Sequence, residues 1–159
     1  MAQKTFAETL YGFLERIELI LVAALGVSLL TQYLKVAGAA TGIQLSLSGL
    51  AGVYFLMAYR PPAQAPSGEK KGFSELLSLT ILPKVLWIGC AVGAIGILFQ
   101  LLKLDGAREM LTIHASTGGI GIILLAVLSL QQGNDSNPFI PVLYRAVPLL
   151  LVTLYMLLM

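Results

Sequence analysis

The chain has 159 residues, 57% of them hydrophobic and 11% charged, with a formal net charge of +2. A soluble domain carries roughly a quarter charged residues, and one of this size buries only about 70% of its surface, so these apolar side chains would face water in quantity. The composition excludes an ordinary soluble domain, and basic residues scattered at the ends of apolar runs exclude a nucleic-acid footprint.

Lys4, Glu8, Glu15, Arg16 and Glu18 precede or open the first long apolar run. A cleavable signal peptide is not built this way, so the first apolar segment reads as a retained helix. A bilayer core of about 30 Å takes roughly 20 apolar residues to cross as a helix, and five segments meet or approach that length: residues 17–36, 42–59, 82–104, 110–130 and 140–159. The last carries Pro141, Arg145 and Pro148 in its first half. None of the runs alternates polar with apolar residues, as the strands of a transmembrane barrel would. Residues 60–72, with Pro61, Pro62, Pro66, Gly68 and Gly72 among charges, read as an exposed linker.

Positive residues set the orientation. A cytoplasmic N-terminus puts Lys4, Arg16, Arg60, Lys70, Lys71, Lys84 and Arg145 inside, against Lys35, Lys103 and Arg108 outside. The last span then runs outward, with Arg145 snorkelling back to the inner headgroups. The expected location is a bacterial inner (cytoplasmic) membrane, with the C-terminus outside.

An internal repeat organises the chain. Residues 32–39 and 100–107 both read Gln-x-Leu-Lys-x-x-Gly-Ala, and upstream Lys4-x-Phe6-Ala7-Glu8-x-Leu10 parallels Lys71-x-Phe73-Ser74-Glu75-x-Leu77. The expected fold is an all-α integral membrane protein: hairpin repeat 1 over residues 1–59, the linker 60–72, hairpin repeat 2 over 73–131, and a fifth transmembrane helix over 139–159. Each repeat crosses twice, so the copies keep one orientation and are related by an axis along the membrane normal, unlike inverted repeats. The segments 6–14 and 73–81 place Phe and Leu beside Glu and are expected to be short amphipathic lead-ins at the cytoplasmic headgroups. At the turns, Lys35 and Lys103 meet the negative end of the helix dipole and anchor in headgroups, and Gly38 and Gly106 supply a left-handed cap. A competing reading makes the two lysines ligands for an anionic lipid or solute.

Residues 99–128, together with Tyr54-Phe55-Leu56-Met57-Ala58-Tyr59-Arg60-Pro61-Pro62, resemble the transmembrane hairpin of the gliding-motility motor protein GldL and its relatives in Bacteroidota. The resemblance covers each hairpin and rests on the aromatic-x-x-Lys-x-x-x-Gly-type turn and a second helix ending in an aromatic and prolines. It implies a hairpin that assembles into a ring around a partner's helices and uses proton flow. The sequence departs from that pattern at the chemistry: the turn has no His-Trp-Pro, and the family's intramembrane acid falls at Leu50 and Gly118.

Candidate chemistry is sparse. His114, the only histidine, sits with Thr112, Ser116 and Thr117 in the most polar intramembrane stretch; it reads either as interfacial packing or as a proton-handling or cofactor-binding residue. Glu18 is either an ion-coupling carboxylate or a group at the cytoplasmic edge, solvated or paired with Arg16 or Lys84. Cys90 is the lone cysteine and builds neither a disulfide nor a cysteine metal site within one chain. Ser48, Gly52, Gly89, Gly93, Gly96, Gly118 and Gly121 are candidate helix-packing or interface positions, because small residues let helix backbones approach. No phosphate loop, metalloprotease helix, nucleophile elbow or acid pair is present, and neither a catalytic residue, a metal nor a cofactor is predicted.

The function read from these features is a non-catalytic accessory or scaffold subunit of a membrane complex, its partners being the lipid bilayer and other membrane subunits or further copies of itself. One alternative is a homo-oligomeric channel or small transporter lined by Gln44, Ser46, Ser48, Thr112, His114, Ser116 and Thr117. A second is a binder of lipid, quinone or pigment between helices.

Overall fold

The computed structural model describes residues 2–61, 77–132 and 140–159, and within them the chain is helical and turn structure alone. Five helices follow in order: α1 Ala2–Tyr33, α2 Ala39–Met57, α3 Leu82–Leu101, α4 Ala107–Gln132 and α5 Ile140–Leu158, with one π-helical turn, Leu77–Ile81, running into α3. Four stretches, Ala39–Met57, Leu82–Leu101, Ala107–Val127 and Pro141–Leu158, are long and apolar enough to cross a membrane. The remaining expected span, residues 17–36, is mostly the second half of α1. That helix is 32 residues long and carries Glu15, Arg16 and Glu18 near its middle, so the lead-in expected over 6–14 is continuous with it. Of the second lead-in, residues 73–76 lie outside the described residues, as does the linker beyond Pro61.

The α1–α2 and α3–α4 turns have the same geometry. In the first, Val36 N–H donates to Thr31 O (2.9 Å) and Lys35 N–H to Gln32 O (3.0 Å). In the second, Leu104 N–H donates to Phe99 O (2.9 Å) and Lys103 N–H to Gln100 O (3.2 Å). This pair of bonds is the Schellman motif, which satisfies carbonyls left open at a helix C-terminus. The left-handed position at its centre was expected of glycine, and here the lysines themselves occupy it, Lys35 and Lys103 both at φ 55°. Gly38 (φ 89°) and Gly106 (φ 84°) do different work: each turns the chain into the next helix through a second positive φ, and their carbonyls accept from Gly42 N and Met110 N. Two left-handed residues within four positions reverse the chain in the space of five residues.

α3 is the centre of the bundle. It packs against α2, α4 and α5, while α1 packs on α2 and α4 on α5; among the four spanning-length helices it is the most buried. Two apolar clusters divide the core along its length. One joins Leu14, Met57, Ala58, Leu82, Leu86, Leu125 and Val142, and the other joins Ile43, Leu47, Ile97, Leu98 and Leu111, with Leu102, Met156 and Leu157 against it. Both turns therefore lie at one end of the bundle, together with the C-terminal end of α5. Outward, large apolar side chains stand exposed on every side, among them Leu19 and Leu30 on α1, Leu45 on α2, Ile120 and Ile123 on α4 and Leu151 on α5.

Candidate functional site

At the end of the bundle away from the turns, α1, α2, α3 and α5 meet around a carboxylate. Arg145 Nε donates to Glu18 Oε1 at 2.5 Å, and Arg145 Nη1 donates to the Pro141 carbonyl at 2.9 Å. Glu18 is 6% exposed, and its second oxygen has no hydrogen-bond donor among the described residues. The Arg145 guanidinium lies over the Trp87 ring, 5.5 Å from its centroid, and Trp87 in turn packs on Tyr54 with centroids 5.8 Å apart. A cation over an indole face is attracted by the ring quadrupole, so two neighbours share the cost of taking Arg145 out of water. The expected solvation of Glu18, or its pairing with Arg16 or Lys84, is thus corrected: Arg16 and Lys84 are exposed, and the partner comes from α5. The Arg145 guanidinium itself is directed at Glu18 and the Pro141 carbonyl. A second pair at the same end, Arg60 Nη1 to Glu15 Oε1 at 3.0 Å, joins the end of α2 to α1, with Arg60 also 5.6 Å from the Tyr11 ring centroid.

His114 lies midway along the α3–α4 contact at 1% exposure. A Cβ added at Gly93 would stand 2.7 Å from both Cγ and Cδ2 of the imidazole, and one at Gly89 would stand 3.8 Å from Nδ1. The ring fills a notch that Gly89 and Gly93 open in α3. Its two nitrogens have no hydrogen-bond partner of good geometry among the described residues. The neighbouring hydroxyls do not converge on it. Thr112 donates to Arg108 O, Ser116 to Thr112 O and Thr117 to Ile113 O, each back onto its own helix. Gln44, Ser48, Thr112, Ser116 and Thr117 are exposed, whereas Ser46 and His114 are buried, so the polar residues of the considered transport path do not share one surface of the chain.

The other small residues divide by direction. Gly96 brings α3 onto the start of α4, where an added Cβ would be 3.2 Å from Leu111 N; Gly121 receives Leu86, and Gly118 lies between Leu150 and His114. Ser48 and Gly52 face outward on α2, with nothing within 4 Å of a Cβ built at Gly52. On α2 the close approach to α1 is made instead by Gly42, against Ser28, and Gly49, whose Cβ would be 2.9 Å from Leu21 Cδ1. Seven residues is two helical turns, so Gly42 and Gly49 share a face; that spacing was the signal missed in favour of small-x-x-x-small pairs. Lys35 and Lys103 are exposed at the turns, and no group of three His, Cys, Asp or Glu among the described residues is placed to hold a metal ion. No protein family, curated protein or solved structure matched the chain.

Proposed function

We propose that this chain is an integral membrane protein of two tandem, parallel hairpins and a fifth span, acting without catalysis as an accessory or scaffold subunit of a larger membrane assembly. The observation that carries the reading is how the polar groups are used. Glu18 and Arg145 pair with each other and His114 fills a helix notch, while large apolar side chains of all five helices stand exposed on the outside. Polar groups inside a membrane bundle either line a path or join helices, and here the charged pairs Glu18–Arg145 and Glu15–Arg60 join helices. Large apolar faces are covered by lipid or by partner helices, and on α2 the outward Ser48 and Gly52 leave room for a close approach.

The duplication is supported by burial as well as sequence. Counting from the shared turn, the buried residues Ala39, Ile43, Ser46, Leu50, Val53 and Met57 of α2 correspond to Ala107, Leu111, His114, Gly118, Gly121 and Leu125 of α4, and all of these are buried. The positions that the gliding-motor resemblance assigns to an intramembrane acid, Leu50 and Gly118, are among them, and neither exchanges a proton. The assembly habit is therefore what carries over from that resemblance, and the proton-driven motor does not.

Purification from native membranes in mild detergent tests this. Other polypeptides in fixed ratio to the chain, lost when Gly52→Leu fills the outward face, are expected. A homogeneous ring of the chain alone would replace the reading with a channel, and a coloured or quinone-bearing protein would replace it with a ligand carrier.

A further inference from the structure

At the turn end of the bundle a cavity of about 300 Å³ opens between the last turn of α3, the first turn of α4 and the C-terminal turn of α5, lined by Gln100, Arg108, Leu111, Met156, Leu157 and neighbouring residues. Its wall is divided by chemistry. Leu111 is buried and Met156 and Leu157 half-buried, forming an apolar floor, whereas Gln100 and Arg108 are exposed at the mouth. Leu158 and Met159 complete the wall; the side-chain carboxylates of the same turn, Asp105 and Glu109, are not part of it, and no carboxylate side chain among the described residues pairs with Arg108. A guanidinium with free donors beside an amide, above an apolar slot, matches a phosphate ester carrying a hydrocarbon chain, since arginine binds phosphate through two parallel hydrogen bonds.

We infer that this cavity is a binding site for one anionic phospholipid, its phosphate on Arg108 and Gln100 and the start of an acyl chain against Leu111, Met156 and Leu157. The inference rests on the reading that the helices lie in lipid. The first hairpin offers an internal control. Counted from the shared turn, Gln100 corresponds to Gln32, but Arg108 corresponds to Ala40, so only the second hairpin carries the cation; Lys35 is an exposed positive charge at the same end that lines no part of the cavity.

The test is native mass spectrometry of the detergent-solubilised chain titrated with phosphatidylglycerol, phosphatidylcholine or inorganic phosphate. One phosphatidylglycerol per chain is expected, weakened at least tenfold by Arg108→Gln, partly kept by Arg108→Lys and unchanged by Lys35→Gln. Equal loss in Arg108→Gln and Lys35→Gln, no loss in Arg108→Gln, equal binding of phosphatidylcholine, or displacement of the lipid by equimolar phosphate would each overturn the site. Alkaline extraction of native membranes probes the spanning reading separately: release of the chain would sink that reading, whereas weak lipid binding by a chain that stays in the membrane sinks only the site.

Discussion

Glu18 on α1 and Arg145 on α5 stand 127 residues apart in sequence and 2.5 Å apart in space, and their contact ties the first helix to the last across the face of α3. The Glu18 side chain is 8% exposed and that of Arg145 25%, so the pair is largely desolvated. Removing one partner of such a pair leaves an uncompensated charge, at a typical cost of roughly 3 kcal/mol, while replacing both costs much less. Thermal unfolding in detergent is expected to show a large loss for Arg145→Met, a smaller one for Glu18→Gln, and recovery of most of it in the double variant. Additive losses would mean that the two residues act independently.

The notch around His114 makes an opposite demand, for absence of volume. Gly93→Ala would set a methyl 2.7 Å from a rigid ring whose own helix cannot yield easily, and overpacking of this kind typically costs about 1–3 kcal/mol. Gly52→Ala, with nothing within 4 Å, is expected to leave the melting temperature of the isolated chain unchanged. In the double variant His114→Ala, Gly93→Ala the clash is gone, and stability measured by the same unfolding assay is expected to exceed that of Gly93→Ala alone.

The lysines of the two turns hold a conformation that L-residues adopt at a cost of about 1–2 kcal/mol. Lys35→Gly and Lys103→Gly are therefore expected to keep or raise stability by up to about 1 kcal/mol, whereas β-branched Lys35→Val or Lys103→Val is expected to lower it. Gly38→Ala and Gly106→Ala are expected to be destabilising at φ 89° and 84°. A loss of stability in Lys35→Gly and Lys103→Gly would show that the ammonium groups, rather than the backbone, set the need for lysine there.

Proton conduction through a carboxylate relay is not expected. Glu18 is held by Arg145 at one end of the bundle, and His114 lies against α3 on a different contact, with no further acidic group between them in any of the spanning-length helices. A charge at a bilayer centre costs at least ~2.5 kcal/mol and persists only beside a partner or a cavity. Sealed vesicles bearing the wild-type chain are expected to show the proton leak of empty vesicles; a flux abolished by Glu18→Gln or His114→Ala would turn the scaffold reading into a channel.

The helices were legible because long apolar runs separated by charge and proline leave few other folds, and the turns because Gln-x-Leu-Lys-x-x-Gly-Ala occurs twice. Local rules stopped at contacts between distant segments. An Arg in one apolar run and a Glu in another each call for a partner, yet nothing in either segment names the other, and Glu18 was matched to its sequence neighbours instead. His114, Gly89 and Gly93 were all singled out, but a ring seated in a glycine notch depends on the rotational setting of two helices, which side-chain spacing within one helix does not fix. The lysine caps went unread for another reason: glycine is the usual left-handed cap, and here each turn needed two such positions and placed glycine at the second.

Sided labelling of single cysteines, placed in a Cys90→Ala background, tests most directly whether two hairpins of one orientation cross one membrane. An impermeant maleimide applied to intact spheroplasts is predicted to label Lys35→Cys and Lys103→Cys, and to label Arg60→Cys only after the membrane is opened. Labelling of the two turns from opposite sides, or of all three positions from outside, would contradict the account.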